Sequence, residues 1–298
     1  RASWGRLGNE NALGYYYAPT MTSSNTQGMS YLQGGNPWSG MSNLYLVNDD
    51  LRWETTDTKN IGFDFGLFNN KLNGSINYYY NTTEDLLIEK VMAPSAGIYN
   101  PTVNVGKMVN KGFELELNYG DNVNGFEYNV GLNLSTIKNE MLKADPNQIL
   151  YGSAWKGDGH AVTQTLKGYP VAGFWLYQAD GLFQSDAEAA AYVNSKGERL
   201  QPNAYAGDVR FVDTNGDGSI DSSDKVYSGS GIPKVEANLS FSGAYKNFDL
   251  SFQFGSAWGH KLYNVNRLYY EGMDAGRNFF KTTLDAWTPQ NTHTDMPR

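Results

Sequence analysis

The sequence predicts an all-β fold, and more narrowly the wall of an antiparallel transmembrane β-barrel. Three observations predict it: apolar and polar residues alternate over long stretches, short and long connections alternate between these stretches, and Tyr, Gly and Asn are abundant. The 298 residues include 21 Tyr and 33 Gly, and aromatic residues make up 14% of the chain. This composition suits strands and turns more than helices.

Alternation with a period of two is the strongest of these signals. Phe126, Tyr128 and Val130, for example, are separated by Glu127 and Asn129. Such a stretch places its apolar side chains on one face of a strand and its polar side chains on the other. Alternating stretches cover residues 61–67, 72–80, 113–119, 126–135, 235–245 and 248–254. The sequence therefore predicts a long strand at each of them.

The connections between the predicted strands have two lengths. Hairpin-sized turns are expected at Asn69-Asn70, within 121–125 and at Lys246-Asn247, whereas about 89–106 and about 143–233 are long connections. Because short and long connections alternate, all short turns lie at one end and all long loops at the other. Outer-membrane barrels have this pattern, with short periplasmic turns and long external loops.

A soluble antiparallel sandwich also alternates, since one face of each of its sheets is apolar. Two features favour the barrel. The alternation extends over about ten residues per strand, whereas ~5–6 residues are usual in globular domains. The polar positions are also rich in Asn, Gly, Ser and Glu, as a wet lumen requires. The sandwich alternative would be a secreted calcium-dependent carbohydrate-binding or adhesion module.

Composition argues against several other classes. A net charge of −8 without a basic stripe argues against nucleic-acid binding, and the absence of cysteine excludes disulfides and thiolate chemistry. No apolar run approaches the ~18–20 residues of a spanning helix. Glu114 and Glu116 lie side by side on one strand and do not flank a substrate bond, as a β-rich glycosidase would need. His160, His260 and His293 show no metal-ligand spacing. We therefore expect no enzyme.

Residues 213–224, DTNGDGSIDSSD, resemble a twelve-position calcium loop, with Gly218 at the sharp turn and Ile220 as the hydrophobic anchor. Hard cations prefer several oxygen ligands, and closely spaced aspartates repel one another unless a cation neutralises them. The last position is Asp instead of Glu, which shortens its reach. The predicted ligands of Ca²⁺, or of Mg²⁺, are Asp213, Asn215, Asp217, Ser219, Asp221 and Asp224. The alternative is a metal-free acidic turn held by Asx hydrogen bonds.

Several stretches carry a resemblance to a known family. NDDLRWETTDTKNIGFDFGLFNNKLNGSINYYYNTTEDLL covers 48–87, VNVGKMVNKGFELELNY covers 103–119 and GYPVAGFWLYQADGLFQSDAEA covers 168–189. A further run, which begins GDVRFVDTNGDG, covers 207–264, and the closing WTPQNTHTDMPR covers 287–298. In this order, over nearly the whole chain, these motifs resemble the SusC/RagA family of TonB-dependent (TonB-linked) outer-membrane transporters.

The resemblance implies that residues 1–298 form a partial, C-terminal portion of a 22-stranded barrel, with an external loop at about 143–233 that carries the metal site. The plug domain and the TonB-contacting segment of the family have no counterpart in this sequence, so a fragment is expected. The implied function is import of oligosaccharides or oligopeptides across the outer membrane of a Bacteroidota-like Gram-negative bacterium. The implied partners are a SusD-like surface lipoprotein, TonB, outer-membrane lipid, the substrate and a second copy in a SusC2D2-type dimer, with no organic cofactor.

Two further features belong to the predicted loops. Exposed aromatic side chains can stack on sugar rings or peptide side chains, although packing or membrane-interface anchoring is the alternative for each. The candidate substrate-binding residues are Trp38, Tyr99, Tyr151, Trp155 and Trp175. The segment 185–198, SDAEAAAYVNSKGE, predicts one short helix, capped by Ser185 or Asp186 and ended by Gly197.

Overall fold

The computed structural model describes residues 1–9, 21–23, 30–43, 48, 50–93, 95, 100–146, 148–152, 161–273, 276 and 278–298. Its strands are β1 (Ala2–Asn9), β2 (Met21–Ser23), β3 (Ser30–Gln33), β4 (Asn36–Ser39), β5 (Met41–Asn43), β6 (Glu54–Leu67), β7 (Leu72–Glu89), β8 (Thr102–Val123), β9 (Phe126–Thr136), β10 (Lys138–Lys143), β11 (Leu150–Tyr151), β12 (Thr163–Thr165), β13 (Gly173–Leu176), β14 (Ala179–Leu182), β15 (Val209–Phe211), β16 (Val226–Gly229), β17 (Val235–Tyr245) and β18 (Phe248–Trp258). Its helices are α1 (Asp186–Ala191) and α2 (Val265–Tyr270), and short 3₁₀ turns lie at Ser222–Asp224 and Lys281–Asp285.

The chain divides into two compact units. The sheet unit comprises 1–150, 165–171 and 232–260, and the loop unit comprises 151–164, 172–231 and 261–298. The predicted long connection at about 143–233 therefore supplies most of a compact unit of its own.

The sheet unit is built around one antiparallel sheet with the strand order β1-β6-β7-β8-β9-β17-β18. Strand β10 pairs with β8 beyond the point where β9 ends, so that β9 and β10 together pair with β8 between Lys107 and Val123. The six strands predicted from alternation are all present, and most are longer than the alternating stretch. Strand β7 has 18 residues and β8 has 22 residues. Both extend beyond the alternating stretch towards the long connections, where the polar pattern is less regular.

The short turns also lie where the sequence predicts them. Asn124 and Gly125 join β8 to β9 with φ values of 52° and 81°, and this pair of positive values is typical of a two-residue type I′ hairpin. Asn69 and Asn70 also have positive φ, at 56° and 64°. Asparagine tolerates this left-handed region better than most residues, which explains why Asn-rich pairs occupy these turns.

The loop unit is held together by small sheets and a short helix. Strand β13 pairs with β12 and with β16, and β14 pairs with β15. A small core under α1 consists of Phe183, Ala189 and Ala204, with Tyr192 packed against it. The ring of Tyr192 meets Phe183 edge-on at a centroid distance of 5.6 Å, and its hydroxyl donates to the Phe211 carbonyl at 2.8 Å.

The predicted helix is present but shorter than expected. Ser185, one of the two predicted caps, accepts from the Glu188 N–H. The helix nevertheless ends at Ala191, and Gly197 lies in the turn that follows. The helix stops early because Tyr192 leaves the helical conformation to reach the core. The sequence did not predict α2. Among the described residues, no helix combines the length and the apolar character that a membrane span requires.

Candidate functional site

The main sheet has one continuous apolar face. Strand pairing brings apolar side chains into direct register, so that they form rows that cross the sheet. One row runs through Phe65, Gly74, Leu117, Leu132, Leu239 and Phe254 on six successive strands. The next runs through Leu67, Leu72, Tyr119, Val130, Phe241 and Phe252. The stacked rings of Phe241 and Phe252, 5.0 Å apart, show how closely neighbours in a row pack.

Large side chains on this face are exposed. Phe63 is 66% exposed, Phe254 64% and Phe248 82%. A sandwich would bury such a face against a second sheet, whereas exposed apolar patches larger than a few hundred Å² mark a membrane or partner surface. The sheet unit therefore does not support the sandwich alternative.

The height of the apolar face fits a bilayer. On β8 it reaches from Phe113 to Val123, which is eleven residues. At ~3.3 Å per residue this is about 33 Å along the strand, and a tilt of about 40° reduces it to about 25 Å across the membrane. Transmembrane strands of ~9–11 residues have this length.

The opposite face of the same strands is polar. One of its rows runs through Asp64, Ser75, Glu116, Asn133, Asn238 and Gly255, and the next contains Asn77, Glu114, Ser135 and Glu236. A groove on this face is lined by the residues of these two rows other than Asp64, and the three glutamates are among them. Glu114 and Glu116 thus lie next to each other on one wall, as expected of a polar lumen surface.

The predicted cation loop lies in the loop unit between β15 and β16. Asp213 begins the loop, and its two carboxylate oxygens accept from the N–H groups of Gly216 at 2.7 Å and Gly218 at 2.8 Å. Gly218 has a φ of +88°, which glycine adopts without strain. The Asp217 carboxylate accepts from the Ser219 N–H at 2.9 Å. Backbone donors therefore shape the loop around its own carboxylates.

Asp224, the last predicted ligand, is fully buried. One of its oxygens accepts from the Thr214 N–H and the other from the Asp221 N–H, both at 2.8 Å. Burial alone would raise the pKa of Asp224, but the N–H groups of Asp221, Thr214 and Asn215 outweigh it and lower the pKa below the usual value. Direct coordination by Asp224 would compete with these hydrogen bonds.

Asn215 and Asp221 complete the hydrogen bonding of the loop. The Asn215 oxygen accepts from the Asp217 N–H at 2.8 Å, and one oxygen of Asp221 accepts from the Ser223 N–H at 2.8 Å. A carboxylate offers about four acceptor positions, so Asp213 and Asp217 retain capacity for a cation. Within the described ranges, no three His, Cys, Asp or Glu side chains converge as a metal cluster. The cation site stays a prediction, and the hydrogen-bonded turn is the arrangement that this structure contains.

The aromatic candidates are distributed over different elements. Trp38 lies exposed on β4 in the sheet unit, and Tyr151 lies exposed on β11. Trp175 on β13 is half-buried, with its ring 5.9 Å from that of Tyr227. Tyr99, Trp155 and also His160 lie outside the described residues. Substrate contact by any of these aromatic residues stays a prediction.

Contacts of the C-terminal segment were not predicted from the sequence. The Trp287 ring is buried, and its indole N–H donates to Gln184 at 3.1 Å. Arg298 binds both carboxylate oxygens of Asp208, at 2.7 and 3.2 Å. Burial would raise the pKa of Asp208, but Arg298 and the Tyr205 N–H lower it. These contacts join residues far apart in the sequence and follow no periodic pattern that could have revealed them.

A sheet with one apolar face of bilayer height, one polar face, and short turns at only one end defines the wall of an outer-membrane β-barrel. Residues 1–288 match the protein-family model described as "TonB dependent receptor-like, beta-barrel", and the chain belongs to this family.

Known relatives agree with this assignment. The chain is 29% identical over 307 residues to TonB-dependent receptor P3 of Formosa agariphila, with 100% of this chain and 29% of that receptor covered. It is 28% identical over 309 residues to TonB-dependent receptor SusC of Bacteroides thetaiotaomicron, with 96% of this chain and 28% of that receptor covered. The chain thus spans less than a third of the length of these relatives.

Solved structures agree on the fold. The structure of the RagAB peptide transporter matches 100% of this chain and 31% of its own chain, with a TM-score of 0.72 and 24% identity. The RagAB peptide importer in the open-open state gives a TM-score of 0.73 at the same identity. The predicted antiparallel barrel fold and the SusC/RagA resemblance are therefore confirmed. The relatives are receptors and transporters and not enzymes, and the family belongs to the outer membrane of Gram-negative bacteria.

Proposed function

We propose that this chain forms part of the barrel wall of a TonB-dependent transporter that imports a nutrient across the outer membrane. The observation that carries the proposal is the register of the main sheet, in which apolar rows face one way and polar rows the other over the height of a bilayer. The apolar rows would face lipid, and the polar rows would line the path of the solute.

The substrate class that we propose is an oligosaccharide or an oligopeptide, delivered by a SusD-like surface lipoprotein. Two of the similar proteins are a SusC receptor and a RagAB peptide transporter. The amide, hydroxyl and carboxylate groups on the polar face suit solutes with many hydrogen-bonding groups, which both classes have. TonB would supply the energy from the proton gradient, and a SusC2D2-type dimer would be the assembled form.

An uptake experiment tests the function. Cells that lack the gene, and cells complemented with it, receive fluorescently labelled oligosaccharide and oligopeptide pools with and without a protonophore. We expect gene-dependent uptake of one pool, and we expect the protonophore to abolish it. Equal uptake of both pools by the two strains would show that the protein is not an importer of either class. A SusD-like lipoprotein that co-purifies with the protein would support the proposed partner.

The assignment of the two faces has its own test. The sequence has no cysteine, so Leu239→Cys and Ser240→Cys each introduce a single nitroxide attachment point on opposite faces of β17. In outer-membrane vesicles, we expect the Leu239→Cys label to collide mainly with oxygen, which concentrates in lipid. The Ser240→Cys label should collide mainly with a water-soluble nickel chelate. The same collision ratio at both positions would contradict a membrane wall.

We also infer a structural Ca²⁺ site, with Mg²⁺ as the alternative ion, in the loop 213–224. The oxygen-rich side chains at alternate positions and the remaining acceptor capacity of Asp213 and Asp217 support it. The cation would neutralise the mutual repulsion of the aspartates and rigidify the loop. It would not act as a sensor, because no helix flanks the loop among the described elements.

A further inference from the structure

One row on the apolar side of the main sheet is cationic. Lys59 of β6 lies opposite Tyr80 of β7, which lies opposite Lys111 of β8. Lys138 of β10 lies opposite Lys111 from the other side. Trp4 of β1 lies opposite Lys59 at the far end of the row. We call these five residues, on five neighbouring strands, the lysine row.

The lysine row lies at the border of the apolar face that is nearer the long connections. The last apolar row contains Ile61, Tyr78 and Phe113, and the lysine row lies two residues beyond it, towards the long connections. Two residues on a tilted strand correspond to about 5 Å across the membrane. Lysine stems can lie along apolar surface while their ammonium groups reach the headgroup region, and Trp and Tyr favour the same depth.

The charges of the lysine row are incompletely neutralised by the protein. Lys111 and Lys138 lie directly opposite each other, and like charges in this position are destabilising. Lys138 reaches Glu140 at 3.1 Å, and Lys111 lies 5.9 Å from the centre of the Tyr80 ring. Among the described residues, neither Lys59 nor Lys111 has a carboxylate within 4.0 Å.

The rows farther from the membrane differ in this respect. In the next row, Arg6 binds Asp57 at 2.7 Å, and one row beyond that Lys107 binds Glu84 at 2.6 Å. Cations of the outer rows thus have carboxylate partners on neighbouring strands, whereas the row at the membrane border leaves two lysines without one. An anion that lies at this depth would complete the pairing.

We propose that the lysine row binds a phosphate-bearing headgroup of a lipid in the outer leaflet. Ammonium groups are effective phosphate partners, and basic clusters next to an apolar surface are typical of anionic-lipid sites. The apolar rows directly below would accept the acyl chains of the same lipid, which a free anion could not exploit. The inference rests on the orientation proposed above, with the long connections outside the cell.

The test compares two double variants that lose the same charge. Lys59→Gln/Lys111→Gln removes the two unpaired lysines, and Lys71→Gln/Lys246→Gln removes two lysines at the short-turn end. Each protein is purified from outer membranes in nonionic detergent and titrated with lipid A, with the same lipid after enzymatic dephosphorylation, or with inorganic phosphate. Native mass spectrometry measures the bound fraction, and the thermal midpoint gives a second readout.

We expect lipid A to bind the unmodified protein and the turn-end variant equally, and to bind the lysine-row variant about 25-fold more weakly, since each lysine near a membrane surface contributes roughly fivefold. The dephosphorylated lipid should bind all three proteins at this weaker level, and inorganic phosphate should leave every thermal midpoint unchanged. Equal lipid A affinity of the two variants would overturn the proposal. An equal effect of free phosphate would overturn the choice of a lipid.

Failure of this inference is distinguishable from failure of the proposed function. If the lysine-row variant does not fold, the unmodified protein still tests the inference. Its preference for lipid A over the dephosphorylated lipid should be absent if the inference is wrong. Absence of that preference, together with gene-dependent uptake, would remove only the lipid site. Absence of gene-dependent uptake, with the lipid preference intact, would contradict only the proposed substrate transport.

Discussion

The sheet unit and the loop unit are stabilised in opposite ways. In the sheet unit, rows of side chains repeat across long strands. Leu117, Leu132 and Leu239, for example, occupy equivalent positions of one row on three strands. In the loop unit, small sheets and the core under α1 are connected by individual polar contacts, above all those of Asp224 and the Arg298–Asp208 pair. A repeated pattern tolerates the loss of one member more readily than a unique contact does, unless the change introduces a charge.

The largest expected effect is a charge on the apolar face. Leu239 shares its row with Leu117, which lies near the middle of the Phe113–Val123 span, so Leu239→Arg would place a cation near the bilayer midplane, at a cost of about 2–4 kcal/mol. The matched change Ser240→Arg, one residue further on, points to the polar face and should cost less than about 1 kcal/mol. Urea unfolding of the protein in phospholipid vesicles measures both. Equal losses of stability would show that the two faces share one environment.

A smaller but more local effect is expected in the loop unit. Asp224→Ala would leave the buried N–H groups of Thr214 and Asp221 without their acceptor, at a cost of about 1–3 kcal/mol. Hydrogen exchange should accelerate in residues 213–225 and remain slow in β7 and β8. Asp217→Ala, at an exposed position of the same loop, is the control in calcium-free buffer and should leave the loop ordered there. Unchanged exchange in the Asp224→Ala variant would show that another contact maintains the loop.

The difference between the units explains how much the sequence could predict. Alternation is a local property, and a slip of one residue would invert both faces, so the stretches around Phe126 and Val235 predicted β9 and β17 with their turns. Two-residue turns with Asn and Gly also have a local signature. The sequence therefore predicted the apolar and polar faces, which constitute the main evidence for function.

The remaining features depend on contacts between distant residues. Tyr192 ends α1 early because its side chain packs on Phe183, and nothing in the segment SDAEAAAY indicates that partner. The burial of Asp224 likewise depends on how 213–224 folds back on itself. The lysine row required the register, because Lys59, Lys111 and Lys138 lie 52 and 27 positions apart in sequence but on neighbouring or next-neighbouring strands.

The cation loop gives the next smaller effect. If Ca²⁺ binds, a tenfold excess over Kd should raise the stability of the loop unit by about 1.4 kcal/mol. Asp213→Ala/Asp217→Ala should abolish both this gain and the calcium heat in isothermal titration, without altering hydrogen exchange in β8 and β9. Asp285→Ala/Asp295→Ala removes the same charge elsewhere in the loop unit and is the control. Retention of the full calcium heat by the Asp213→Ala/Asp217→Ala variant would contradict the predicted ligands.

The smallest expected effect is a pH dependence of the loop 213–224. Because N–H donors lower the pKa of Asp224 despite its burial, its carboxylate stabilises the folded loop fully above the ordinary value of 3.8. This contribution is lost as the pH falls from that value through the lower pKa of the folded state. After correction for the intrinsic slowing of exchange in acid, hydrogen exchange at residues 213–225 should therefore become faster relative to β17 and β18 as the pH falls. Asp224→Asn cannot titrate and should flatten this dependence. An unchanged pH profile in that variant would assign the effect to another carboxylate with a lowered pKa, such as Asp221 in the same loop or Asp208 beside Arg298.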